Sequence, residues 1–551
     1  MEQTTTNLNQ VKQDLIEEID QRVKDRILEP TNADLLRKFI RQADNENEAI
    51  SIAALGTTYK RTGLHFDKRF ERMTDDISYF RRNTALSFHT DDSKPTHKLI
   101  IGDNYEALQN LLIQYRSAVD VIYIDPPYGK DSMGEFAQTN YANAISRDNL
   151  LSMLYPRLML AKQILSDSGV IFCSIDDKNQ AYVKCLFDEV FGEENFVGCI
   201  TIEGNPRGRQ SSKYLAQMHD YLLVYRSSAN TILQGFPLNE NEITRRFNKM
   251  DENGIAFEEW ELRKRGADSR KIDSPNLWFP IYYNEANNSI STTRQETNDI
   301  AILPKLSSGE DGRWRWSIEK VNKEKGKLYV RKNTKGEWNV YERKYLEEKD
   351  LQLAPTIWTY DDVNTELGTK LLKSVLGELT GFSYPKPIGL ISKILQIVTT
   401  PNATVLDFFA GSGTTGHAVL DLNKQDGGNR TFILCQLNEK TDTTPNGIAY
   451  DVTAKRLKRI MTGSCYDGTT DFKWAQSNTP YGGNLDVYEI DHVSNFEYTE
   501  GKSPFEVIDE TLYGQKPFAT LREKIEWVCT RFANTQKRVE DDHEWAQRTQ
   551  E

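Results

Sequence analysis

The sequence predicts an α/β fold built on a largely parallel sheet, on three observations. Val405 to Leu420 reads as the end of a short apolar strand, a turn carrying Gly411, Gly413 and Gly416, and a helix starting near Thr415. Val119 to Tyr128 reads as a second apolar strand that delivers Asp125-Pro126-Pro127-Tyr128 to its carboxyl end. Further strands and helices alternate nearby: Lys98 to Ile101 precedes a helix with Leu108, Leu111 and Leu112, and the helix Leu150 to Leu165 precedes the strand Gly169 to Ile175.

Taken in order, residues 1–95 read as a charged helical region. Leu8, Val11, Leu15, Ile19 and Val23 recur at helical spacing, Pro30 stops that helix, and Thr31 or Asn32 caps the next. The apolar face is expected to pack on its own domain. The aromatic and basic residues Tyr59, Lys60, Arg61 and His65 to Arg72 follow without a spacing that assigns them a role. Residues 96–226 hold the first sheet segment, in which Asp103 or Asn104 serves as a helix cap. Gly129 to Asn143, rich in Gly, Ser and Asn, reads as a loop over the Asp125 turn. Val197 to Ile202 and Tyr221 to Tyr225 read as adjacent strands, and the loop between them carries Arg207 and Arg209, suited to phosphate contact.

Residues 227–355 lose the parallel-sheet rhythm. From Arg313 to Lys335 nine basic residues, among them Arg313, Arg315 and Lys332, face two acidic ones, with Trp314, Trp316, Tyr329 and Trp338 interleaved. Such a stretch predicts salt-sensitive contact with phosphates. Arg263, Lys264, Arg265, Arg270 and Lys271 form a second basic cluster. Residues 356–462 return to the sheet: Tyr384-Pro385-Lys386-Pro387 opens a helix with Ile388, Ile391, Ile394, Leu395 and Val398 on its buried face. Glu439 follows the strand Thr431 to Leu437, a position suited to accept from ribose hydroxyls. A last helix, Ile448 to Ile460, reads as structural, and residues 463–551 as an acidic, aromatic dimer or partner region with one helix near Leu521 to Phe532.

Composition bounds the function. A formal charge of -12 over 551 residues does not advertise nucleic-acid binding, so local charge must supply it. Six widely spaced cysteines without a C-x-x-C pair indicate neither a disulfide framework nor a zinc site and suit a reducing cytoplasm. The sequence has no run of about twenty apolar residues, and its amino terminus is polar rather than signal-like. No metal site is expected.

The two turns carry the chemistry. Glycines let the backbone approach a ligand closely, and Asp407 at the strand end can accept hydrogen bonds; a positively charged cofactor suits that carboxylate. Two prolines stiffen the other turn, so that Asp125 and the Pro126 carbonyl can converge as acceptors on an NH2 group beside the Tyr128 ring.

These motifs resemble the amino-methyltransferases that use S-adenosyl-L-methionine to methylate exocyclic nitrogens of DNA bases. The Asp125 motif precedes the glycine turn by roughly 280 residues, an order similar to that of the circularly permuted β class. Within that class, Gly102-Asp103-Asn104, Ile124 to Tyr128, Leu165 to Asp177, Phe191 to Gly198 and Tyr384 to Pro387 resemble the modification subunits of Type III restriction-modification systems. The resemblance spans about residues 50–460, much of 230–350 excepted. It implies a Rossmann-like methyltransferase sheet with an inserted α+β target-recognition domain. It implies that Asp125, Pro126, Pro127 and Tyr128 are catalytic. The turn Asp407, Phe409, Ala410, Gly411, Ser412, Gly413 and Thr414 then holds the cofactor, with Asp103 near its adenine and Lys386 toward its methionine end. The implied substrate is adenine N6 in duplex DNA, and the implied partner a separate restriction subunit.

The residues themselves leave alternatives open: an orphan adenine or cytosine-N4 enzyme, an RNA or protein-glutamine methyltransferase, or a DNA-binding scaffold without catalysis. The permuted motif order weighs against the RNA and protein enzymes. The absence of Pro-Cys argues against carbon-5 cytosine chemistry. The lack of a phosphate-binding G-x-x-x-x-G-K-[ST] loop assigns cleavage to another subunit.

Overall fold

The structure, a computed structural model, describes residues 2–24, 28, 30–55, 72–128, 147–208, 214–238, 240–346, 351–378, 381–398, 400–494 and 503–539. The chain divides into two units, Met1–Phe70 and Glu71–Glu551. In the first, the helices Glu2–Lys24, Pro30–Gln42 and Glu46–Leu55 enclose Ile19, Ala33, Ile40, Ala49 and Ala53. The apolar stripe of the first helix therefore packs within its own unit. Pro30 does not end that helix from outside but occupies the first position of the second, where its missing N–H costs nothing.

The second unit is organised on a twelve-stranded sheet. Its strands in chain order are β1 (Arg72–Arg82), β2 (Phe88–His89), β3 (Thr96–Ile101), β4 (Val119–Ile124), β5 (Leu165–Ile175), β6 (Phe196–Ile202), β7 (Asp220–Arg226), β8 (Ile357–Trp358), β9 (Thr404–Asp407), β10 (Thr431–Gln436), β11 (Asn484–Ser494) and β12 (Gln536–Val539). The spatial order is β8-β6-β7-β5-β4-β9-β10-β3-β11-β1-β12, with β2 paired to β11. From β5 across to β11 neighbouring strands are parallel. Their runs of valine, isoleucine and leucine are buried on both faces, as a helix-covered parallel sheet requires.

The decisive feature is where the order reverses. From β4 the chain moves through the helix Arg147–Ile164 to β5 on one side, whereas from β9 it moves through the helix Thr414–Asp426 to β10 on the other. Yet β4 and β9 pair with each other, Val121 opposite Val405 and Ile122 opposite Leu406. Diverging connections leave a crevice at the carboxyl ends of these two strands, the place where open α/β sheets bind ligands. At the other end the Asp120 carboxylate accepts from the Thr404 N–H at 2.9 Å, fixing the register.

Residues 1–95, expected as a helical region, hold the helices ending at Leu55 among their described residues, and Arg72–Arg82 instead pairs antiparallel with β11. The stretch 463–551, expected as a dimer or partner region, likewise gives β11 to the main sheet, third from its β12 edge and parallel to β3 from Asn484 to Glu489. The helix Leu521–Arg531 stands where expected. The loop Gly129 to Asn143 and the stretch Tyr59 to Arg61 lie outside the described residues, as do His65 to Glu71.

The insertion after β7 has its own core. Four strands, Lys249–Met250, Ala256–Glu261, Leu328–Lys332 and Trp338–Tyr345, form one antiparallel sheet, and Ile281–Asn284 with its two neighbours forms another. Trp314 (1% exposed) and Trp316 (4%) fill this core with Leu262, Ile281 and Val340. They are packing residues, not surface aromatics interleaved with the arginines, because alternation along an extended segment sends every second side chain inward. Trp314 also donates its indole N–H to the Phe279 carbonyl at 2.8 Å. Trp314→Ala removes both contributions, so a destabilisation of about 3–5 kcal/mol of the insertion is expected. In thermal unfolding it should separate as an early transition while the main sheet melts at its original temperature; one unchanged transition would contradict an independent core.

Candidate active site

The glycine turn after β9 is built by acceptors placed beneath it. Asp407, 2% exposed, accepts from the Phe409 N–H at 3.0 Å and from the Thr415 hydroxyl at 2.5 Å. Gln436 at the end of β10 accepts from the Gly411 N–H at 2.6 Å, and the Ala410 N–H donates to the Cys435 carbonyl. Gly411 and Gly413 hold φ of +52° and +77°, and a Cβ on Gly411 would stand 2.9 Å from the Phe382 ring. Glycine is therefore required at 411 by conformation and by space.

Sequence reading missed what supports this turn from behind. Ala449–Ala454 is a π-helical turn leading into the helix Lys455–Thr462, which was read as merely structural. Thr453 donates to the Gly411 carbonyl at 2.6 Å. Arg456 is fully buried and donates to the Ser412 carbonyl, the Ser412 hydroxyl and the Thr414 hydroxyl at 3.0–3.2 Å. Burial lowers its pKa to about 9. Its other amino group lies 3.2 Å from Nδ1 of buried His417. Burial and the Arg456 charge hold that imidazole neutral, with Nδ1 accepting.

A second network joins the Asp103 segment to the turn. Asp103 caps the helix Asn104–Tyr115 through the Tyr105 N–H and pairs with buried Arg157 at 3.0 Å. Asn104 accepts from Arg157 and donates to the Phe408 carbonyl at 2.7 Å. Asp103 thus acts as the cap that its position suggested. Arg157, unremarked in the sequence, is the bridge.

On the Glu439 side the arrangement is incomplete within the chain. The Glu439 Oε2 and Asn438 Oδ1 atoms are buried without a hydrogen-bond partner, and burial raises the Glu439 pKa to about 7. Buried acceptors without donors are costly. Ligand hydroxyls would satisfy them.

Asp125 and Tyr128 lie at the end of β4, across from this turn. The Tyr128 hydroxyl donates to Asp125 Oδ1 at 2.7 Å, and Asn179 donates to the Tyr128 carbonyl at 3.0 Å. Pro126 is buried; Asp125, Pro127 and Tyr128 are half-buried. Burial raises the Asp125 pKa, and the Lys386 ammonium, Tyr128 and their hydrogen bonds oppose it. Lys386, expected beside the cofactor, reaches the other side: its Nζ stands 2.9 Å from the Tyr128 hydroxyl, 3.2 Å from Asp125 and 3.8 Å from Asp220. Its carbonyl meanwhile accepts from the Thr414 hydroxyl at 3.2 Å.

The residues singled out for nucleic acid are not brought together. Arg207 is exposed on a loop whose Gly204 carbonyl is held by Thr365; Arg209 lies outside the described residues. Arg313 donates to the Asp268 carbonyl. Arg315 pairs with Glu342 at 2.6 Å and lies over Trp260. Lys332 lies over Trp338 at 4.7 Å. The local basic excess is partly cancelled by the strand Ala256–Glu261, whose Glu258, Glu259 and Glu261 pair with Arg246, Arg331, Lys249, Arg263 and Arg265.

The sequence profile of the DNA methylase family matches residues 119–442, and that of an uncharacterised conserved protein family matches residues 4–121. The chain is 32% identical over 467 residues to the Type III restriction-modification enzyme EcoPI Mod subunit of Escherichia phage P1, covering 77% of this chain and 70% of the relative. It is 33% identical over 390 residues to the Type II methyltransferase M.KpnI of Klebsiella pneumoniae, covering 68% and 89%. It is 26% identical over 476 residues to the EcoP15I Mod subunit of Escherichia coli, covering 77% and 71%.

Burial lifts the Asp407 pKa from 3.8 to about 7. Between those values the folded chain holds more proton than the unfolded one, so this group's contribution to stability declines as pH rises toward 7. Asp407→Asn keeps the size of the side chain and cannot titrate. The loss of unfolding free energy between pH 5 and pH 8, followed by urea denaturation, is expected to shrink by about 2–3 kcal/mol. An unaltered pH dependence would show that Asp407 does not change its protonation there.

Proposed function

The chain belongs to the DNA methylase family, and from that membership we propose that it transfers a methyl group from S-adenosyl-L-methionine to adenine N6 in duplex DNA, as the modification subunit of a Type III restriction-modification system. The observation that carries this reading is the pairing of β4 with β9, which sets the Asp125 turn and the glycine turn at neighbouring strand ends. One side of the crevice offers a carboxylate and an aromatic ring; the other offers close-approach glycines and two unpartnered acceptors.

The residues present fit that cofactor. Glu439 Oε2 and Asn438 Oδ1 are acceptors of the kind a ribose diol satisfies, and the turn beside them keeps its shape only with glycine at 411, where a Cβ would strike the Phe382 ring. When bound, S-adenosyl-L-methionine supplies an electrophilic methyl group on a sulfonium.

The chain's own work is on the nitrogen. An adenine amine is a poor nucleophile because its lone pair is delocalised into the ring. Asp125 and the Pro126 carbonyl, accepting its two hydrogens, favour the nitrogen as it pyramidalises over the planar ground state. Tyr128 stacks the extruded base, offsetting the few kcal/mol that leaving the duplex costs. Adenine N6 rather than cytosine N4 is assigned because an acidic residue precedes Pro-Pro-Tyr. Phosphate contact is assigned to Arg207, Arg313 and Lys332, and Arg315 is assigned a structural role through Glu342. The chain is proposed to act in the cytoplasm as a dimer, with cleavage left to a restriction subunit. No helix among the described residues is long and apolar enough to cross a membrane.

Asp125→Ala should lower methyl transfer by at least about 10²–10³-fold while DNA retention in gel shift is largely kept. Loss of binding with normal turnover on saturating DNA would contradict the assigned role. Single-molecule sequencing of DNA from cells expressing this chain alone should report N6-methyladenine at one recurrent sequence; N4-methylcytosine there would overturn the adenine assignment.

A further inference from the structure

The Lys386 side chain has a surrounding that the methyl-transfer scheme does not use. Its ammonium donates to the Tyr128 hydroxyl and stands against Asp125, the same acceptor assigned to the target amine. Asp125 Oδ1 already meets the Tyr128 hydroxyl and the Lys386 ammonium, and that ammonium lies 5.3 Å over the Tyr128 ring, so an amine whose base stacks on Tyr128 meets it on the same approach. One must leave.

The backbone beneath Lys386 is fixed. Pro385 and Pro387 flank it, its carbonyl receives the Thr414 hydroxyl, and a Cβ on Gly368 would overlap the Pro385 carbonyl oxygen, so the segment presses directly on a neighbouring helix. Tyr384 just before it holds φ of +58°, a conformation that non-glycine residues seldom adopt. Only the four-carbon side chain is left to move. A second carboxylate, Asp220 at the start of β7, is already 3.8 Å from the ammonium and mostly buried.

We propose that Lys386 is a placeholder for the target amine: its ammonium fills the Asp125–Tyr128 seat until a base arrives, and then moves to Asp220. The inference rests on the proposed function of this site and deepens it by naming two positioning residues. The placeholder keeps a carboxylate ionised in a crevice where burial would otherwise favour its proton. Its departure leaves Asp125 a stronger base when the methylated nitrogen has a proton to lose. In that step the nitrogen lone pair forms the N–CH3 bond, the S–CH3 electrons stay on sulfur, and the surplus N–H proton passes toward Asp125. The other ionisable groups facing Asp125 are Tyr128, Tyr123, Cys173 and Asp407, with Asp176 behind Asp220.

The test is a double-mutant cycle on the full chain with S-adenosyl-L-methionine and DNA carrying the site found by sequencing. Asp220→Asn removes the second seat, so kcat/KM for DNA should fall by about ten-fold. In the Lys386→Met background, where nothing needs displacing, the same change should cost less than about two-fold. Losses that multiply in the double variant would overturn the proposal. Lys386→Gln gives a second neutral background if the Met variant fails to fold, and calorimetric cofactor binding reports whether each variant is intact. The pH profile separates a placeholder from a permanent partner. Lys386→Met should move the acid limb of kcat/KM, which reports the free enzyme, upward by about one unit or more. The acid limb of the single-turnover rate at saturating DNA should stay in place. Equal movement of both limbs, or of neither, would overturn the proposal. An inactive wild-type chain would instead overturn the methyltransferase reading and this inference with it.

Discussion

The pairing of Val121 with Val405 and of Ile122 with Leu406 is the constraint on which the rest depends. Two strands separated by most of the chain lie side by side with their carboxyl ends level, and each then leads to the opposite flank of the sheet. The crevice follows from chain topology before any functional side chain is considered. Asp120, accepting from the Thr404 N–H, holds the register at the far end. A one-residue slip would turn Asp407 away from the turn it anchors.

Around that mouth the protein places polar groups where apolar packing would be more stable. Asp407, Arg456, His417 and Gln436 are all buried, and Arg456 donates to neutral carbonyl and hydroxyl groups beneath the turn. An uncompensated guanidinium is costly to bury. What it secures is geometry: the Ala410 and Gly411 N–H groups, the Gly411 and Ser412 carbonyls and the Thr414 hydroxyl are each held by another element, namely β10, the π-helical turn, the helix Lys455–Thr462 or the Lys386 segment. Asn104 extends the same restraint to Phe408. A loop held from several sides keeps its shape when a ligand arrives, which is what a preorganised site requires.

The main sheet was legible wherever strands are continuous apolar runs, as at Val119 to Ile124 and Thr431 to Leu434, because burial on both faces removes the need for alternation. It was illegible where strands are amphipathic. Leu485, Val487, Ile490 and Val493 are interleaved with charged residues, and that segment reads as part of a dimer or partner region although it sits beside β3. Site residues close to a motif in sequence could be named from it. Arg157, Gln436, Thr453 and Arg456 could not, because each acts across 25 to 54 residues through hydrogen bonds that no local spacing records. Lys386 was singled out within its motif but placed on the wrong side of the crevice; its backbone faces the glycine turn while its side chain reaches Asp125. A motif names the residue but not the direction of a long, flexible side chain.

The insertion shows the same limit in its electrostatics. Counting charges along Arg313 to Lys335 gives a strongly basic window, but a sheet gathers residues distant in sequence, and here the glutamate-bearing strand Ala256–Glu261 lies one strand away from Leu328–Lys332, across Trp338–Tyr345. Arg331 pairs with Glu259 at 2.6 Å, which shows the window was never an isolated patch. Of the nine basic residues in that window, Arg315 and Arg331 pair with glutamates of nearby strands and Lys327 with Glu324, so a sum taken along the chain overstates the positive field the folded sheet presents.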